Sequence, residues 1–192
     1  DHHGRNGHPS HAHVSGLPEY YWLTGDKRAL EVLVEMGSWW ANAVPVMFPT
    51  PIANPHYAEA ERDFGWPLYV LNRVTDVTGD LKYHRAAAQL TKHMIQWWQQ
   101  PARHLVNGVD MGANDATKGT GFWTMYPRMV NSYGTAGVYN GTSPWMAGAL
   151  LSALIEFYEN NKVYSSEIDN NQLKDMMLQT MNYVVKWGWN NE

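Results

Sequence analysis

Gly16-Leu17-Pro18-Glu19-Tyr20-Tyr21-Trp22-Leu23-Thr24-Gly25-Asp26 reads as an aromatic helix that stops in a very short turn and restarts at once. Gly25 can take the left-handed conformation that closes one helix, and Asp26 can cap the next with its carboxylate. The same punctuation returns at Thr78-Gly79-Asp80. A third helix of this character, Pro144 to Glu159, runs into Asn160-Asn161, residues that also tolerate a helix stop. Each of the three is followed by a second helical pattern, so the chain reads as three helix hairpins.

Working outward, the first helix is predicted over about Val14 to Leu23, with its regular part beginning near Pro18, which only a first turn tolerates. In the second, Ala29, Leu33, Met36 and Trp40 recur at helical spacing with Leu30 and Gly37 beside them. Val44 to Glu61 contains Pro45, Pro49, Pro51 and Pro55 and is expected to be a loop, or at most to hold a short strand up to Ile52. Helix three is placed at Phe64 to Val77 on Leu68, Leu71, Val74 and Val77. Helix four, Leu81 to about Gln99, buries Tyr83, Ala87, Leu90, Met94 and Trp97. Pro101 to Ser143 has no sustained period, although short strands fit its 120s and 130s; a connection that long inside a compact domain points to function. Helix five starts with Pro144 and buries Met146, Leu150, Ala153 and Phe157. Helix six, about Gln172 to Trp187, buries Leu173, Met177, Val184 and Trp187.

The fold expected is therefore all-α: hairpins at about 14–43, 64–100 and 144–189 stacked in one domain over residues 1–192. Each hairpin exposes an apolar face that only a neighbour can bury, which gives an α-solenoid or an (α/α) toroid, whole or partial.

The 192 residues can bury a good core. A net charge of −4 without a Lys/Arg-rich run argues against nucleic acid or an anionic membrane surface as partner. No stretch is apolar for long enough to span a bilayer, and the polar first residues predict no signal peptide in the stretch given. With no cysteine, disulfides and thiolate zinc sites are excluded. Ten Trp and eleven Tyr supply many flat apolar faces, which suit sugar rings as well as a core.

In a stack of up-down hairpins the short turns gather at one end and the long connections at the other. His8, His11, His13, His56, Arg62, Asp63, Asp110, Asp115, Lys118, Tyr126 and Arg128 then share one rim with Tyr57, Trp66, Trp123, Tyr133 and Tyr139. Cations, carboxylates, imidazoles and aromatic faces on a rigid helical base are the parts of a carbohydrate cleft.

The run from Gly16 to Asp26 and on through Lys27-Arg28-Ala29-Leu30-Glu31, with Arg62-Asp63-Phe64-Gly65-Trp66 and Thr78-Gly79-Asp80, resembles the helical (α/α) toroid domains of carbohydrate-active enzymes. Pro9-Ser10-His11-Ala12-His13 ahead of it looks most like rhamnogalacturonan exolyase-like (YetA-like) proteins. That family's toroid normally has about six or seven hairpins, often with flanking β-domains, so the resemblance makes this chain part of a larger toroid. It implies β-elimination on a uronate-containing glycan, an acidic polysaccharide or oligosaccharide as partner, possible further domains of a parent chain, and a secreted or periplasmic location if the substrate is polymeric.

Such a lyase neutralises the uronate carboxylate, removes the C5 proton and protonates the leaving O4. With the resemblance, His11 and His13 are candidates for base or neutraliser, Tyr20 or Tyr21 for the acid, and Arg62 for the carboxylate clamp. His8, His56, Tyr57, Asp63, Trp66, Trp123, Tyr126 and Arg128 are candidate substrate contacts. Some have a plainer reading: capping or hydrogen bonding for His11 and His13, core for Tyr20 and Tyr21, a helix-start charge pair for Arg62 and Asp63. His11 and His13 with His2, His3 or His8 have the donors for a divalent cation, but spacing identifies no carboxylate partner, so no metal or cofactor is assigned. A hydrolase of the same architecture needs two carboxylates, and among Glu19, Glu61, Asp63 and Asp110 no pair stands out. A non-catalytic module that binds glycan or protein on its rim shares the same sequence features.

Overall fold

The computed structural model describes residues 13–51, 61–99, 103–106, 109–113, 144–164 and 168–187. They form helices α1 (Leu17–Thr24), α2 (Lys27–Met47), α3 (Glu61–Thr78), α4 (Leu81–Gln99), α5 (Pro144–Tyr164) and α6 (Asn170–Trp187). A small antiparallel ribbon, β1 (Arg103–Val106) and β2 (Val109–Ala113), lies between α4 and α5 in sequence, with its register broken between Arg103 and Leu105.

The two Thr-Gly-Asp turns are built alike. Gly25 and Gly79 sit at φ 69° and 67°, where a Cβ is strained, and each N–H closes the preceding helix on the carbonyl of Tyr21 or Thr75 at 2.7 Å. Thr24 and Thr78 donate their hydroxyls to the carbonyls of Tyr20 and Val74 at 2.6 Å, while the same oxygens accept from the N–H of Asp26 and Asp80. Asp26 and Asp80 then cap α2 and α4 by accepting from the N–H of Arg28 (2.8 Å) and Lys82 (2.9 Å). At the third turn Asp169 accepts from Asn171 N–H at 2.9 Å.

Side-chain contacts give the helix directions. Along α3 and α5 the facing pairs are Arg62 with Trp145, Gly65 with Leu150, Asn72 with Ala153 and Arg73 with Glu156, so these helices run parallel and in register. The contacts of α1 and the segment leading into it, Glu19 with Arg73 and His13 with Trp66, run the same way. Contacts of Ser38 with Tyr83 and Phe48 with His93 show α2 parallel to α4, whereas Gly37 against Val74 and Phe48 against Phe64 make α2 antiparallel to α3. The result is a layer of α1, α3 and α5 backed by a second of α2, α4 and α6. Three helix hairpins stack side by side, and α3 touches α1, α2, α4 and α5. Leu33, Val44, Phe48, Leu68, Leu71, Val74, Leu90, Met94, Leu150, Leu154, Phe157, Leu173 and Met176 fill the seam between the layers.

Two boundaries differ from the sequence reading. Helix α2 continues through Pro45 to Met47. An internal proline costs about 3 kcal/mol, but it falls in the final turn. Val44 and Phe48, both fully buried, hold that turn on the core, and burying side chains of this size contributes ~1.5–3 kcal/mol each. The turn closes with Phe48 N–H donating to Val44 carbonyl at 2.8 Å. Likewise α5 does not stop at Asn160-Asn161. Asn161 is buried one turn before the helix end and donates to Ile168 carbonyl (3.0 Å) and Asn170 Oδ1 (2.7 Å), so it pins the turn leading into α6. Smaller differences follow from packing: α1 begins at Leu17, and α3 already includes Glu61. Met36 and Val77 are only half-buried. The side chains of Trp97, Val184 and Trp187 lie outside the described residues, and the ribbon occupies part of the stretch read as an aperiodic connection.

Candidate functional site

The outward face of α3, away from α2 and α4, carries Arg62, Trp66, Tyr69 and Arg73. Steps of four, three and four residues keep these side chains on one line of the helix, about 16 Å from first to last at 1.5 Å per residue. α1 and the segment before it flank the stripe on one side, and α5 flanks it on the other.

At the upper end, near the N-terminus of α3, the His13 ring meets Trp66 edge to face with centroids 4.4 Å apart. The Arg62 guanidinium lies 5.4 Å from the Trp145 ring, and Trp145 is exposed on the first turn of α5. Arg62 forms no ion pair with any described residue, and its buried Nε and the buried Nε1 of Trp66 have no hydrogen-bond partner among them. A cation, two indoles and an imidazole therefore line one patch, with donor capacity left unused among the described residues.

At the lower end Arg73 is a junction. It pairs with Glu156 of α5 at 3.0 Å and Glu19 of α1 at 3.7 Å, and lies 5.0 Å from the Tyr69 ring. Asp76, one turn on, accepts from Asn160 Nδ2 at 2.9 Å. Burial raises the Glu156 carboxyl above its ordinary range; Arg73 opposes the shift, while Asp76 and Glu19 add to it. Burial also raises Asp76, against its bond to Asn160 and the charge of Arg73. Three carboxylates thus surround one guanidinium. No group of three or more His, Asp or Glu side chains among the described residues is arranged to hold a metal ion.

Of the residues chosen from sequence, His13, Arg62 and Trp66 come together here. Asp63 is next to Arg62 in sequence but on another face, buried with Glu61 in the first turn of α3. Tyr20 projects from α1 with half its surface exposed, and Tyr21 is half-buried. Asp110 belongs to β2, and its side chain lies outside the described residues. His8, His11, His56, Tyr57, Trp123, Tyr126 and Arg128 lie outside the described residues, as do Asp115, Lys118, Tyr133 and Tyr139. Sequence reasoning missed Tyr69, Arg73, Trp145 and Glu156. The signal was present in the polar and aromatic residues at 62, 66, 69 and 73, a second periodic face of α3 opposite the leucines.

No family model, no curated protein and no solved structure matches the chain. No helix among the described residues is long and apolar enough to cross a membrane.

Proposed function

We propose that this chain is a helical-hairpin domain of (α/α) toroid type that acts on an acidic polysaccharide or oligosaccharide of pectic, rhamnogalacturonan-like character, cleaving it by β-elimination. The observation that carries the reading is the Arg62 guanidinium, unpaired among the described residues and set beside Trp145, Trp66 and His13. A uronate brings two things that the described residues do not give this site: a carboxylate for the guanidinium and an apolar ring face for the indoles. Arg62 then neutralises the C6 carboxylate, which acidifies the C5 proton. The His13 imidazole, on the same patch, takes that proton, and Tyr69, one turn below Trp66, is the phenol that protonates the leaving oxygen.

The test is ultraviolet absorbance of the unsaturated uronate on pectic and other uronate polysaccharides. The reading expects a rise with the native chain that falls by about 10²–10⁴-fold in His13→Gln, the usual contribution of a general base. Glycan cleavage without unsaturated product would refute elimination. One observation favours hydrolysis as the second reading: Glu19 and Glu156 converge on Arg73, and burial favours the protonated form of Glu156.

A further inference from the structure

Between the upper and lower ends of the stripe stands α1, a helix of only eight residues in which Pro18 alone is buried, while Tyr20, Trp22 and Leu23 are exposed. Its N-terminal extension, Val14-Ser15-Gly16, leads straight back to His13. Leu17 N–H donates to Val14 carbonyl at 3.1 Å, and Val14 is buried. His13 therefore goes where α1 goes. From the helix itself, the polar tie to α3 among the described residues is Glu19 on Arg73, and Arg73 is fixed in turn by Glu156 from α5 and by the face of Tyr69.

We propose that Arg73 is the positioning residue of the site: by holding Glu19 on one side and Glu156 on the other, it sets α1 against α3 and α5 and so keeps His13 on Trp66. The inference rests on the reading of His13 as a working group for its functional meaning, but not for its structural test. The geometry suits the role. A guanidinium presents several donors in a fixed plane and can engage carboxylates from two helices at once, which a lysine ammonium does with less directional control. The tie is also half-buried, so water competes for it less than for the surface pair Arg28–Glu31. Arg73 lies about 10 Å along the helix from Trp66, seven residues at 1.5 Å each, so it acts on His13 through α1.

The readout is the NMR signal of the His13 ring protons, which the Trp66 ring current displaces at a centroid distance of 4.4 Å. Measured on the full chain, Arg73→Met and Glu19→Gln should both move the His13 signals toward the position of a free histidine. Arg73→Lys should restore part of the displacement. Glu156→Gln, which leaves the α1 tie intact, should move them less than Glu19→Gln. Glu19 is only half-buried, so its variant tests the tie even if Arg73→Met fails to fold. Unchanged His13 signals in Glu19→Gln overturn the proposal, as does a shift in Arg73→Met alone, which would mean that Arg73 acts through α5. Calorimetric titration with an oligouronide separates this from the functional reading. Absence of binding by the native chain counts against the acidic-glycan assignment and leaves the ring-current result standing.

Discussion

Two glycines on facing helices provide a paired experiment. A Cβ built on Gly65 of α3 would stand 2.9 Å from both the Cα and N of Leu150 and 3.1 Å from the carbonyl carbon of Ala149, all backbone of α5. Carbon contacts are comfortable at about 3.5–4.0 Å, so α5 would have to retreat by ~0.5–1 Å. Overpacking of this kind costs about 1–3 kcal/mol, and because no side chain can swing aside the upper half of that range applies. Against it stands the helix-propensity gain of Gly→Ala, about 1 kcal/mol. Gly148, in α5 itself, has nothing within 4 Å of its Cβ position and would collect that gain alone. The propensity terms cancel between the two variants, so Gly65→Ala should be less stable than Gly148→Ala by ~2–3 kcal/mol, the steric term by itself. At about 2–4 °C per kcal/mol for a chain of this size, thermal unfolding by circular dichroism resolves the difference. Gly148→Ala should melt above the native chain and Gly65→Ala below it. Equal stability of the two variants would refute the close approach of α3 and α5, and with it the proximity of Arg62 to Trp145.

Other outcomes follow from the same structure. Asp26→Ala removes the side-chain acceptor at the start of α2 and should lower stability by ~1 kcal/mol in denaturant unfolding. Buried His93 donates from Nδ1 to Pro49 carbonyl at 2.7 Å, and burial depresses its pKa from 6.5, only partly offset by that bond. The unfolded chain therefore binds the proton more readily. The stability from His93 is complete above pH 6.5 and is lost as pH falls from there toward the lowered folded value, with a slope of at most about 1.4 kcal/mol per pH unit. Denaturant melts between pH 8 and 5 should show that slope, and His93→Gln should flatten it, though at a lower baseline. Glu156, whose carboxyl is raised by burial, contributes the opposite sign. Its share of stability grows as pH falls through the folded pKa, and Glu156→Gln should remove that part of the acid-side profile.

The hairpins were legible because their signals are local. Thr-Gly-Asp specifies a left-handed stop and a cap within three residues, and both copies fold accordingly. Boundaries set by distant packing were not legible. Pro45 reads as a breaker until Val44 and Phe48 are seen locked in the core, and Asn161 reads as a stop until Ile168 and Asn170 are found accepting its amide. At the site, Arg62 and Trp66 stood out as a compact motif. Arg73 and Glu156 did not, since their meaning lies in a meeting of α1, α3 and α5 across separations of 54 to 137 residues that one sequence leaves unspecified.

The most direct measurement of the central claim is calorimetric binding of an acidic oligosaccharide beside the same oligosaccharide with its carboxyls reduced to alcohols, to the native chain and to Arg62→Gln. A hydrogen bond to a charged group contributes about 1.5–3 kcal/mol, so the native chain should prefer the acidic form by roughly 10–100-fold, and Arg62→Gln should bind both forms alike. Equal binding of the two forms by the native chain, or an acidic preference that survives in Arg62→Gln, would contradict the account.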